Sequence, residues 1–150
     1  MKVDIGSGPA PLPGYTTVDL YDRNADIRAD IRCLVLEDVE HVNASHVLEH
    51  LPHVDVIPTL ANIHDWMRRN GKITAEVPDM GRITPEHPLW LIYVYGCQKD
   101  AGEYHRGGFT ESTLVAALEF AGWRDVEVRA FLSEHPSRTG MPCLEAQARA

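Results

Sequence analysis

The sequence predicts an α/β fold of the doubly wound kind, an open and mostly parallel sheet with helices packed on it. Three observations carry this. Short apolar runs bounded by turn residues recur along the chain, two amphipathic helical stretches alternate with them, and the opening run ends in a glycine turn. Ligands in such folds bind outside the carboxyl ends of the strands, so the residues that follow each apolar run form the candidate site.

The first strand is expected over Lys2–Ile5, with Asp4 inside it and the turn Gly6-Ser7-Gly8 directly after it. Glycine lets a backbone approach a ligand closely. The second strand, Thr16–Leu20, ends on Asp19, a carboxylate able to accept both hydroxyls of a ribose. Between them lies Pro9-Ala10-Pro11-Leu12-Pro13-Gly14-Tyr15. Its alternating prolines exclude a regular helix. A dinucleotide fold needs a helix there, because the pyrophosphate rests on its N-terminus. Pro11 also occupies the third glycine position of the dinucleotide fingerprint. Nicotinamide and flavin dinucleotides therefore fit poorly. An adenosine cofactor without phosphate, such as S-adenosylmethionine, fits better.

A third strand is expected at Ile27–Asp30, a short helix at Leu34–Glu40, and a fourth strand at His41–Ser45 that runs into His46. Val56, Leu60, Ile63 and Met67 share one helical face, which predicts a helix over Val54–Arg69 with Pro58 in its first turn and Asn70-Gly71 as its stop. The fifth strand, Lys72–Val77, leads to Asp79. The apolar run Pro88–Gly96 signals burial, as helix or as strand. A second helix is expected at Glu111–Ala121, capped by Thr110 and stopped by Gly122. Asp125–Phe131 and Leu144–Arg149 alternate in polarity and are expected at one edge of the sheet.

The links Gly8–Thr16 and Tyr21–Asp26 are too short for crossover helices. One sheet face then lacks its layer, and parallel strands do not leave an apolar face to water. Residues 80–103, or a second subunit in a homodimer, are the expected cover.

With 150 residues the chain suits a single domain over 1–150. Its net charge of −8, with 22 acidic against 14 basic residues, argues against tracking a nucleic-acid backbone. The widely spaced Cys33, Cys97 and Cys143 suggest neither a disulfide framework nor a zinc knuckle, which favours a reducing, cytoplasmic setting. No signal peptide and no membrane-spanning run is apparent.

His46-Val47-Leu48-Glu49-His50 matches the inverted zinc-protease signature His-x-x-Glu-His. That chemistry needs both histidines on one helical face. A strand directly before His46 and Pro52 shortly after His50 leave little helix to hold the spacing, so no metal is expected from this motif. His105 sits in a glycine-rich loop before the second helix, where a histidine can act as a general base.

The ordered segments resemble a compact class I S-adenosylmethionine-dependent methyltransferase, most closely the small "type 11" group. The resemblance rests on Asp4-Ile5-Gly6-Ser7-Gly8-Pro9, Leu12–Asp19, Asp26–Ile31, Ala44–His50, Arg69–Ile73, Val77-Pro78-Asp79, His105–Glu111 and Glu119–Trp123, which together cover most of the chain. It implies a Rossmann-like methyltransferase sheet ordered 3-2-1-4-5-7-6 with the last strand antiparallel, here minimal, with the first crossover helices missing. It also implies roles by position. Gly6 and Gly8, with Asp4, Ile5 and Ser7 around them, would meet the methionine part of the cofactor. Asp19, with Leu20 beside it, would hold the ribose, and Asp30 and Ile31 would meet the adenine edge. Ser45 and His46 would border cofactor and acceptor.

The implied activity is methyl transfer to a small-molecule or glycan-like acceptor, with residues 80–108 as the substrate segment. His46, Asp79 and His105 are the candidate bases for an acceptor that must lose a proton. Two rivals stand beside it: a non-catalytic S-adenosylmethionine-binding module, and a zinc hydrolase using His46, Glu49 and His50.

Overall fold

The computed structural model describes residues 1–99, 101–134 and 139–150. Its strands are β1 (Lys2–Ile5), β2 (Thr16–Val18), β3 (Val39–Ser45), β4 (Met67–Pro78), β5 (Arg124–Leu132) and β6 (Pro142–Arg149). The helices are α1 (Val56–Asp65), α2 (Trp90–Tyr95) and α3 (Glu111–Phe120), with 3-10 turns at Leu48–His50 and His53–Asp55. One sheet runs β2-β1-β3-β4-β6-β5. The first four of these strands are parallel, and β6 inserts antiparallel between β4 and β5. This is the expected order less its outermost strand. The predicted strand Ile27–Asp30 survives as a single parallel bridge between Val18 and Ile27.

Side chains alternate across the sheet, so the pairing register sorts the two faces. Val3, Ile5, Val18, Val42, Ala44, Ile73, Ala75, Leu144 and Ala146 point to one side and are all buried. Against them pack Leu60 and Ile63 of α1 and Leu114 and Leu118 of α3. Two tryptophans close this layer. The Trp66 indole donates to the Leu34 carbonyl at 3.1 Å, and that of Trp123 donates to the Leu60 carbonyl at 3.1 Å. A buried indole N–H needs such an acceptor.

The opposite face corrects an expectation. The register places Asp4, Asn43, Thr74 and Gln147 in one row there, and Ser45, Glu76, Glu145 and Arg129 in another. The uncovered face is polar, so nothing apolar demands a missing helix layer. Its groups partner one another. Asn43 donates to Asp4 at 2.7 Å, and Arg129 grips Glu145 through two nitrogens at 2.9 and 3.0 Å. The proline loop crosses this face. The Leu12 amide donates to Asp4 at 3.0 Å, and the Tyr15 hydroxyl meets His41 Nδ1 at 2.6 Å. Residues 27–36 cross on the helical side instead, where Asn62 of α1 donates to the Ile31 and Leu34 carbonyls.

Three boundaries differ from expectation. Leu34–Glu40 forms no helix, because Asn62 and Trp66 hold the Leu34 carbonyl and Val39 already enters the sheet. α1 ends at Asp65 rather than Arg69, since the Trp66 carbonyl accepts from the Val39 amide and draws the chain into β4. The run 88–96 resolves to the short α2. It buries Tyr93 against Met141 and Cys143 at one end of the sheet and leaves Leu91, Ile92 and Tyr95 exposed. Residues 80–103 thus cover a corner of the polar face, with residue 100 outside the described residues. α3 follows its sequence signals closely. Thr110 and Thr113 form a reciprocal capping box, and Gly122 turns the chain away with φ +99°.

Candidate functional site

The carboxyl ends of β1, β2 and β3 open on one cleft of about 220 Å³. Gly6, Asp19, Leu20, Asp30, Ile31 and His46 line it, which brings together six of the residues the sequence singles out. Each arrives by a local device. Gly6 takes φ +62°, and a Cβ there would lie 2.6 Å from Val47 Cγ2, so only glycine fits the turn. Asp19 gathers its own loops. Its Oδ2 accepts from the Gly8 amide at 3.1 Å and its Oδ1 from the Tyr21 and Asp22 amides at 2.7 and 2.9 Å. Asp30 follows the Ile27 bridge and is gripped by Arg32, whose Nη2 lies 2.6 Å from Oδ2. Hydrogen bonding from Arg32 holds the Asp30 carboxyl below its usual range.

Asp4 is buried on the polar face and holds Asn43 and the Leu12 amide. It holds the proline loop against the polar face, and the structure gives it no place on the cleft wall. Ile5 is core. The Ser7 hydroxyl is buried within the glycine turn with no partner among the described residues. Ser45 lies 3.4 Å from Glu76 on the polar face.

His46 is the most constrained residue of the site. It sits in the left-handed region at φ +54°, which aims its ring back between two carboxylates. Nδ1 lies 3.0 Å from Glu49 Oε1 and Nε2 lies 2.9 Å from Glu76 Oε1. Cys143 Sγ is 3.9 Å from Nε2. Burial opposes a charge on the ring, but the bonds to Cys143, Glu49 and Glu76 outweigh it and push His46 up to about 11. Burial likewise disfavours charge on Glu49, yet His46 beside it holds the carboxyl below its ordinary value. Both ring nitrogens therefore carry protons at neutral pH, and His46 has no lone pair to act as a base.

Asp79 stands apart from the cleft. It lines a separate shallow groove with Gly81, Thr110 and Glu119, and its Oδ1 accepts from the Gly81 amide at 2.9 Å. His105 keeps the geometry of a base. Its Nδ1 lies 2.8 Å from the Tyr93 carbonyl, and burial holds it below the usual histidine range, so Nε2 offers a lone pair at neutral pH. The adjacent Arg106 and Gly102 line the cleft wall.

The structure adds residues that sequence reasoning assigned to loops or did not single out. Tyr21, Arg32, Val47, His50 and Arg106 line the cleft. The neighbouring motif letters offered a signal for Val47 and His50. Arg32 and Arg106 become visible only once distant loops meet. The inverted zinc signature does not assemble on a helix. His46 precedes a 3-10 turn of three residues, Leu48–His50, and its ring is committed to two carboxylates.

An open sheet ending in an antiparallel inserted strand, with a glycine turn, an acidic strand end and a cleft between them, is the architecture of class I S-adenosylmethionine-dependent methyltransferases. Solved structures share it. A SAM-dependent methyltransferase from Archaeoglobus fulgidus is 18% identical with a TM-score of 0.68, over 99% of this chain and 85% of that one. The 1,6-didemethyltoxoflavin-N1-methyltransferase of Burkholderia thailandensis, solved with its acceptor and S-adenosylhomocysteine, is 19% identical with a TM-score of 0.68, over 99% of this chain and 69% of that one. A SAM-dependent methyltransferase from Methanosarcina mazei is 12% identical with a TM-score of 0.69, over 99% and 91%. No family model and no curated protein matches the sequence.

Proposed function

We propose that this chain binds S-adenosylmethionine in the cleft and transfers its methyl group to a small-molecule or glycan-like acceptor. The observation that carries the reading is the convergence of Gly6, Asp19, Asp30 and His46 on one cleft at the carboxyl ends of β1, β2 and β3. The Asp19 carboxylate would take the ribose and the Asp30–Ile31 corner the adenine. Methyl transfer from a sulfonium is a direct displacement, so the protein chiefly positions the reactants and excludes water. For an acceptor with a proton to lose, His105 Nε2 is the group able to accept it. The segment that brings Ala101, Gly102 and Arg106 to the cleft wall would form the acceptor side.

A second reading is cofactor binding without turnover. In either reading a ligand must compete with the three amides on Asp19 and with Arg32 on Asp30. Calorimetric titration with S-adenosylmethionine and S-adenosylhomocysteine tests the site. Losing charge-assisted bonds to two hydroxyls should weaken binding at least about tenfold in Asp19→Ala. Absence of saturable binding to the native chain would reject both readings. Binding without methyl transfer across small-molecule and glycan acceptors would favour the second.

A further inference from the structure

We propose that Glu49, His50 and His105 form a binding site for a divalent transition-metal ion of the zinc type at the edge of the cleft. One carboxylate oxygen of Glu49 and one ring nitrogen of each histidine lie within 4.8 Å of one another. Donors about 2.0–2.2 Å from a tetrahedral zinc ion are about 3.3–3.6 Å apart, so side-chain rotations that draw these atoms inward by about 1 Å close the set.

The hydrogen bonds identify the free atom on each residue. Oε1 of Glu49 is taken by His46, while Oε2 is buried without a partner among the described residues, on a side chain only 1% exposed. A buried carboxylate oxygen with nothing to accept from is costly, and a cation satisfies it. His50 Nδ1 lies 3.0 Å from the Tyr104 carbonyl and His105 Nδ1 lies 2.8 Å from the Tyr93 carbonyl. In each, Nδ1–H donates to a carbonyl, which leaves Nε2 as the ring atom able to meet a metal. This is the outer hydrogen bond that metal-ligating histidines make.

The backbone already clamps the site. The Arg106 and Gly107 amides both donate to the Glu49 carbonyl, at 2.7 and 3.1 Å, tying the loop that bears His105 to the turn that bears Glu49 and His50. The two rings meet edge to face at 4.9 Å. Three protein ligands leave a coordination position open, as in catalytic rather than structural zinc sites. His50 also lines the cleft, so that position adjoins it. An ion bound here occupies His105 Nε2, so the ion and the base role of His105 exclude one another.

The test is metal analysis and Co²⁺ titration of the chelator-stripped full chain, alongside zinc competition with a chromophoric chelator. The expected result is one ion per chain, Co²⁺ d–d bands without a thiolate charge-transfer band, and at least a tenfold loss of affinity in His50→Ala and in His105→Ala. His53→Ala, exposed and outside the set, should bind as the native chain does. Unfolding curves for each variant separate loss of ligand from loss of fold, and Glu49→Gln, which keeps the side-chain volume, supplies a third variant. No ion bound at excess zinc, or undiminished affinity in folded His50→Ala and His105→Ala, would overturn the assignment. So would a thiolate band abolished by Cys143→Ser, which would place the ion on His46, Glu76 and Cys143 instead.

Discussion

Replacing Gly6 by alanine probes the turn on which the cleft is built. Two costs act at once. The residue sits at φ +62°, a left-handed conformation that costs a side-chain-bearing residue about 1–2 kcal/mol. The added Cβ would also lie 2.6 Å from Val47 Cγ2 and 2.8 Å from Val47 Cβ, and the second atom cannot rotate away. Overpacking of this kind costs roughly 1–3 kcal/mol. Gly6→Ala should therefore destabilise the chain by about 2–5 kcal/mol, which for a domain of this size lowers the melting temperature by roughly 5–15 °C.

Urea unfolding of Gly6→Ala, Val47→Gly and the double variant measures the two costs separately. Removing the Val47 side chain should return the steric part, a coupling of about 1–3 kcal/mol, and leave the backbone part in place. A Gly6→Ala variant within about 0.5 kcal/mol of the native chain would refute the turn geometry. A penalty undiminished in the Val47→Gly background would refute the contact.

Two further outcomes follow from charge. His46→Gln removes the cation between Glu49 and Glu76 and strands a buried carboxylate, so it should cost about 3 kcal/mol in urea unfolding, with much of the loss recovered by adding Glu49→Gln; equal stability of native chain and single variant would contradict the ion-pair geometry. Asp26 accepts from the Thr17 amide and hydroxyl at 2.9 Å each, and these bonds lower its pKa from 3.8. A depressed carboxylate stabilises the fold fully above its unfolded pKa, and the contribution is lost as pH falls through the folded value. The melting-temperature gap between native chain and Asp26→Asn should accordingly be constant near neutrality and shrink below about pH 4, and a gap independent of pH would contradict it.

The apolar runs made the strands legible, and the resemblance to class I methyltransferases implied their order. Gly6, Asp19, Asp30 and His46 were legible as cleft residues from where those runs end. Each sits just beyond a run, where the chain must turn toward the ligand side. What escaped depends on pairings between distant segments. Asn62 reaches back to the Leu34 carbonyl and removes a helix that local propensity favours. The charge state of His46 depends on Glu76, thirty residues away. The polar face is written in the sequence as Asp4, Asn43, Thr74, Glu76 and Glu145. It becomes a face only when the register aligns them, and single runs read as buried strands conceal it.

That face bears on how such a chain gains or loses a layer. Inserting a helix between β1 and β2 would lay apolar side chains on Asp4, Asn43 and Thr74 and bury charge without partners. Deleting helices from a chain with a covered sheet would expose aliphatic strands to water. Either change succeeds only if alternate positions on at least four strands are rewritten together with the loop. The short proline connection and the polar alternation are thus one inherited unit, and a redesign that transplants the loop without the strand letters should yield an aggregating protein.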